Sequence, residues 1–208
     1  MSDLPRCGRC RRPGARCLCP RFAAIPPPLP VVFLQHHREA RRRLGTCRLA
    51  HLQLPGSELH VAWRFDAHPR VATLAAAGAA LLFPGPDAQP VAATAPRLLV
   101  VVDGTWSEAG KLVRQTPALA VLPRIGLAPP APGRYRIRRA PAAHCLSTVE
   151  AVVDVLGILA GDPDRYLPLL APFDALVEEQ LAAAAGRHPW THERRKARRH
   201  AATAAAAG

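Results

Sequence analysis

Asp103 closes the apolar run Leu98-Leu99-Val100-Val101-Val102 and opens the stretch D-G-T-W-S-E. A carboxylate at the end of a strand can grip a cationic group, or can take a proton if burial lifts its pKa toward neutrality. Gly104 gives the chain a turn. Thr105, with Glu108 three residues on, has the spacing of a capping box that starts a helix. In open α/β sheets, ligands bind at this kind of strand end. The plainer reading has Asp103 and Thr105 as caps and Trp106 as core.

A second group with chemistry lies near the N-terminus. Cys7, Cys10, Cys17 and Cys19 read C-x2-C-x6-C-x-C, four of the six cysteines in the chain. Four thiolates so close suit a tetrahedral, structural Zn2+ site, and Gly8 and Gly14 permit the turns between ligands. Cys47 and Cys145 are expected to take no part. The alternative is a reduced, unstructured cysteine-rich arm. Arg6, Arg9, Arg11, Arg12 and Arg16 surround the cysteines.

The third group is cationic. Lys and Arg number 28 against 15 Asp and Glu, a formal net charge of +13, and only Lys111 and Lys196 are lysines. A GC-rich genome explains Arg over Lys but not the excess of cations. Arginine is the better bidentate phosphate ligand, so the charge points to a polyanionic partner such as RNA. Candidate contacts are His36, Arg38, Arg41, Arg42 and Arg43 just past a strand end, Lys111 and Arg114 on the helix after Asp103, and Arg134, Arg136 and Arg138 along one face of a basic strand. The competing readings are a solvated helix with Glu39 and Arg43 paired, and an edge strand protected by charge.

These groups need a scaffold, and 208 residues, 49% of them hydrophobic, are enough for one domain with a core. No apolar run reaches the roughly 20 residues that span a bilayer. Residues 1–20 lack the apolar segment of a signal peptide, so the chain is expected in the cytoplasm, with no membrane partner. Residues 1–22 read as a zinc module and 23–30, with Pro26-Pro27-Pro28, as a stiff linker. Residues 31–187 read as the main domain. The tail, 188–208, is basic and then Ala-rich, and is expected to be disordered.

Within the main domain, strands are expected at Val31–Leu34, Leu59–Phe65, Ala80–Phe83, Leu98–Val102 and Ala118–Leu122, with the basic strand at 133–139. Helices are expected over Val71–Ala80, from Thr105 to Gln115, over Thr148–Leu159 behind a second capping box at Ser147 and Glu150, and over Phe173–Ala185. Repeated strand–loop–helix units make this an α/β protein with a mainly parallel sheet. No G-x-G-x-x-G, G-x-x-x-x-G-K-[ST], serine elbow or H-E-x-x-H is present, which disfavours a classical dinucleotide site, a P-loop ATPase, a serine hydrolase and a zincin.

Several blocks, in order, resemble one family. Asp103-x-Thr105-Trp106 is similar to the signature that names the DTW-domain proteins. Cys7–Cys19 resembles that family's zinc module. Phe33-Leu34-Gln35-His36 followed by Gly45-Thr46, Leu81-Leu82-Phe83-Pro84-Gly85, Tyr135-x-Ile137-Arg138 and Leu146-Ser147-Thr148-x-Glu150-Ala151 resemble further family blocks. His37 stands where the family usually has proline.

The resemblance implies a SPOUT-like fold whose C-terminal part forms a trefoil knot around S-adenosyl-L-methionine. It also implies transfer of the 3-amino-3-carboxypropyl group to N3 of a tRNA uridine, giving acp3U and 5′-methylthioadenosine. A sulfonium is a strong electrophile with a neutral leaving group, so the enzyme's tasks are to select which S–C bond faces the nucleophile and to help remove the N3 proton. Asp103 is then the candidate general base, or else a ligand for the cofactor's amino group. Leu82, Phe83, Pro84, Gly85, Asp103, Gly104, Thr105, Trp106, Leu146, Ser147, Thr148 and Glu150 are expected to form one cofactor pocket. A SPOUT-like RNA methyltransferase and a non-catalytic zinc-containing RNA-binding protein are the alternatives. The oligomeric state is not legible, with a monomer slightly favoured.

Overall fold

The computed structural model describes residues 5–42, 45–127 and 146–185. Arg43, the strand expected at 133–139 with Arg134, Arg136 and Arg138, Cys145 and the tail 188–208 lie outside the described residues. So does segment 128–145, which leads into the stretch expected to form the knot.

Among the described residues, five parallel strands make the sheet: β1 Val31–His36, β2 Glu58–Ala62, β3 Ala79–Leu82, β4 Leu98–Asp103 and β5 Arg124–Ile125. Their spatial order is β2-β1-β4-β3-β5. All strands run the same way, so their C-terminal ends meet at one edge. β4 is central, and every residue in it is buried. Leu99 and Val101 join one hydrophobic cluster, and Leu98, Val100 and Val102 the other. A strand covered on both faces has no polar side to show, which is why its sequence is an unbroken apolar run.

Besides three short 3-10 helices, eight α-helices are found among the described residues. They are α1 His37–Ala40, α2 Thr46–His51, α3 Pro69–Ala72, α4 Val91–Thr94, α5 Trp106–Gln115, α6 Pro117–Ala120, α7 Thr148–Ala160 and α8 Ala171–Ala185. On one face of the sheet lie α7, through Val149, Val152, Val153 and Leu156, and α8, through Phe173 and Leu176. On the other lie α5, through Leu112 and Val113, and α6, through Leu119. None of the described helices is long and apolar enough to cross a membrane.

Two expected elements differ. Ala118–Leu122 is not a strand: α6 occupies Pro117–Ala120, with Pro117 at its first turn, where a missing N–H costs nothing. The expected helix over Val71–Ala80 ends at Ala72, and Gly78, at φ 67°, turns the chain directly into β3. β2 also stops at Ala62, so Phe65 turns back into the core while Trp63 is left 52% exposed.

Segment 23–30 is tied down. Ala23 N–H donates to Gln53 Oε1 at 3.1 Å and Tyr166 O–H donates to the Pro26 carbonyl at 3.0 Å. The N-terminal module is docked as well: Leu18 joins the core cluster, and Arg12 pairs with Glu179 on α8.

α5 begins as its sequence demands. Thr105 Oγ1 accepts from Glu108 N–H at 3.2 Å, and Glu108 Oε2 accepts from Thr105 N–H at 2.9 Å. Thr105→Ala removes the cap and is expected to destabilise the protein by about 1 kcal/mol. In a domain of this size that lowers the thermal unfolding midpoint by roughly 2–4 °C, readable by circular dichroism.

A buried carboxylate, an arginine-walled cleft and a four-cysteine cluster

Gln35 and Asp103 are register partners on the adjacent parallel strands β1 and β4. They share the parity of Phe33 and Val101, so both side chains face α7. The first residue of α7 completes the arrangement: Thr148 Oγ1 donates to Asp103 Oδ1 at 2.5 Å, and Gln35 Nε2 donates to Asp103 Oδ2 at 2.8 Å. Asp103 is 4% exposed. Burial pushes its pKa up to about 6, against the pull of the Thr148 and Gln35 hydrogen bonds and with help from Glu39 and Glu108. The carboxyl therefore changes charge near neutrality, the range a general base needs.

The expected cofactor loops gather at this edge. Leu82 ends β3, beside Val101 of β4, and Phe83 packs against the α5-side cluster. Pro84 and Gly85 follow, exposed. Ser147 N–H and Oγ donate to the buried Glu150 at 2.8 and 2.6 Å, fixing the start of α7 with Leu146 just before it. Trp106 is 44% exposed rather than core. The glycines serve the chain's own packing: a Cβ on Gly104 would lie 3.0 Å from Glu108 Cβ and 3.2 Å from Ala109 N, and one on Gly85 would lie 2.7 Å from Arg124 Nη1.

The expected RNA contacts divide. His36 points to the α5 side, its Nδ1 3.5 Å from Glu108, and is packed edge-on against Trp63. The Arg38 guanidinium lies 5.3 Å from the Trp63 ring centre. Lys111 and Arg114 are exposed on α5. Arg41 and Arg42 instead line a cleft of about 520 Å³ between the cysteine-bearing segment, residues 6–18, and residues of 35–49 and 176–180. Arg6, Arg11, Arg12 and Arg16 face them from the module, and Arg48 joins from α2. Glu39 and Glu179 also line it, but Glu39 is paired with Arg42, and Glu179 with Arg12 and Arg16. Gln35 lines the cleft and Asp103 does not.

Reasoning from sequence alone misses Gln35 as a site residue. Its signal is present all the same: a lone amide in a strand buried on both faces, two residues past Phe33 and in register with Asp103.

The four cysteines meet as their spacing implies. Arg11 N–H donates to the Cys7 carbonyl and Cys7 N–H to the Arg12 carbonyl, both at 2.8 Å, and Arg11 takes a left-handed conformation at φ 60° to close the turn. The sulfurs lie within 4.8 Å of one another, Cys7 to Cys19 at 3.6 Å and Cys10 to Cys17 at 3.7 Å. A tetrahedron with Zn–S bonds of ~2.3 Å has edges of about 3.8 Å, so the cluster has the size for such an ion. Four thiols this close cannot all ionise unaided. Backbone N–H groups of Cys10 and Arg9 bring Cys7 down to about 6, while burial and the other sulfurs push Cys19 up to about 12. A bound cation removes that conflict. Cys47 is buried in the core on α2, away from the cluster.

A family model described as DTW domain matches residues 4–181. The chain is 32% identical over 195 residues to a Drosophila melanogaster protein named tRNA-uridine aminocarboxypropyltransferase 2, covering 88% of this chain and 78% of that one. It is 30% identical over 190 residues to proteins of the same name from Macaca fascicularis and Mus musculus, covering 85% of this chain and 64% of each of theirs. The chain thus spans under two thirds of the mammalian relatives' length. No solved structure matches it at a significant level.

Proposed function

The chain belongs to the DTW-domain family, and from that premise we propose that it transfers a 3-amino-3-carboxypropyl group from S-adenosyl-L-methionine to N3 of a tRNA uridine. The observation that carries this reading is the pinned, buried Asp103 at the sheet edge. Gln35 and Thr148 hold its two oxygens, and burial sets its pKa at about 6. The related proteins' names supply the reaction class.

When bound, the sulfonium supplies the electrophilic carbon. Residues 82–85, 104–106 and 146–148 would hold the cofactor, because they lie at the C-terminal strand edge or at the start of α7. Exposed Trp106 offers an aromatic surface there. Asp103, ionised above about pH 6, would accept the uridine N3 proton as that nitrogen is alkylated by the carbon the bound sulfonium would supply. The uridine nitrogen is a poor nucleophile while protonated, so the rate depends on that carboxylate. Glu150 and Glu108 keep the two flanking helix starts fixed through their capping boxes.

The module's four cysteines would hold a structural Zn2+, since protein ligands fill all four positions. Arg38, Arg41, Arg42, Lys111 and Arg114 would contact the RNA.

The reading is tested by incubating the purified protein with S-adenosyl-L-methionine and tRNA lacking the modification. The expected products are acp3U in the nucleoside digest and 5′-methylthioadenosine in solution, both by mass spectrometry. S-adenosylhomocysteine with a methylated nucleoside would instead identify an RNA methyltransferase. No product with tight tRNA binding would identify a binding protein.

A further inference from the structure

Gln35 is 1% exposed, yet its Oε1 has no hydrogen-bond partner among the described residues. Buried carbonyl oxygens are rarely left so, and an orphan acceptor calls for a donor. Its orientation is fixed by chemistry: an ionised Asp103 only accepts, so Gln35 must offer it Nε2 and turn Oε1 the other way. Gln35 also lines the arginine-walled cleft. A residue with a buried, unpartnered acceptor is therefore part of the wall of a cationic groove.

We infer that this cleft seats the ribose–phosphate backbone of RNA, and that Gln35 Oε1 accepts a hydrogen bond from a ribose 2′-hydroxyl. The inference rests on the reading that the substrate is RNA. The cations select the ligand. Both cleft carboxylates stand beside arginines, Glu39 beside Arg42 and Glu179 beside Arg12 and Arg16, although Glu179 Oε1 makes an ion pair without a hydrogen bond; Arg11 and Arg41 form no ion pair among the described residues, so cations outnumber carboxylates and the groove favours a polyanion. On a nucleic-acid backbone, phosphate and ring oxygens only accept. The 2′-hydroxyl is the one donor, and it is also what distinguishes RNA from DNA. A backbone held here would run beside the Asp103 edge, one hydrogen bond away through Gln35, leaving the base to reach the loops at the strand ends. Gln35 is thus a specificity-determining contact for ribose, distinct from the arginines, which bind phosphate of either nucleic acid.

The test is direct binding, without cofactor or turnover, of fluorescein-labelled decamers of uridine, 2′-deoxyuridine and 2′-O-methyluridine, read by anisotropy. The full-length protein is expected to bind the ribo-decamer about tenfold more tightly than either analogue, the scale of one hydrogen bond to a buried acceptor. In Gln35→Leu that ratio should fall to within about twofold, with the salt dependence unchanged. Arg11→Ala and Arg41→Ala should weaken all three ligands together and flatten the salt dependence. Equal affinity of the wild-type protein for the three decamers, an arm that needs no variant, overturns the inference. So does a ribose preference that survives undiminished in a Gln35→Leu protein with a cooperative unfolding transition. Formation of acp3U with a ribose preference independent of Gln35 sinks this inference and leaves the proposed function standing. A Gln35-dependent preference without any 5′-methylthioadenosine does the reverse.

Discussion

Asp103→Asn is expected to lower turnover by about 10²-fold or more while tRNA affinity holds, because it removes the proton acceptor and leaves the cationic surfaces intact. The wild-type rate should rise with pH through about 6, where the carboxyl ionises, and the variant should lose that limb. Stability should move the opposite way. The folded-state pKa of Asp103 lies above that of an unfolded Asp, near 3.9, so folding favours the protonated form. The stabilisation from that form is fully present below about pH 4 and is lost as pH rises through about 6. At pH 7.5 the native protein carries a buried charge at a cost on the order of 2–3 kcal/mol, which Asn avoids. Asp103→Asn should therefore melt higher than wild type at pH 7.5, with the gap closing toward pH 4. Unchanged turnover together with coincident melting curves at pH 7.5 would show that Asp103 neither titrates nor acts as described. A carboxylate kept at a stability cost is what a site selected for chemistry retains.

β4 and both capping boxes are legible because each is local: a run of apolar residues, or an S/T-x-x-E spacing, carries its own physics. α6 is not. Pro117-Ala-Leu-Ala is too short for its period to separate helix from strand, and the outcome depends on Leu119 and Leu122 meeting the α5-side core. The Ala-rich stretch after Val71 has strong helix propensity, but Gly78 in a left-handed conformation diverts it into the sheet. The cysteine cluster needs only spacing, so it can be read outright. The cleft cannot, because its walls come from residues 6–18, 35–49 and 176–180, and no local pattern joins them. Gln35 stands at the head of a basic run whose charged members mask it. Only the pairing of β1 with β4 sets it against Asp103.

The same long-range assembly makes metal removal the second large effect. Segment 5–22 contributes few core side chains, chiefly Leu18 and the Arg12–Glu179 pair, and has little apolar area with which to offset the entropy of ordering its chain. A structural zinc in so small a unit contributes folding free energy of about 10 kcal/mol or more, so without it the module is expected to unfold. The sheet has its own two cores and should persist. Cys10→Ser, the most buried of the four ligands, or exhaustive chelation should abolish bound metal as measured by elemental analysis. The main thermal transition should survive. Unfolding of the module removes the wall that carries Arg6 and Arg11, and every phosphate left without its arginine reduces the salt slope of tRNA binding by about 0.9. A fall of about two units is expected, with roughly 10-fold or greater weakening at physiological salt. The RNA-over-DNA preference set by Gln35 should weaken with it, since the groove that presses the backbone against Oε1 is half gone. Metal-free protein that binds tRNA with an unaltered salt slope would separate the cysteine cluster from RNA recognition.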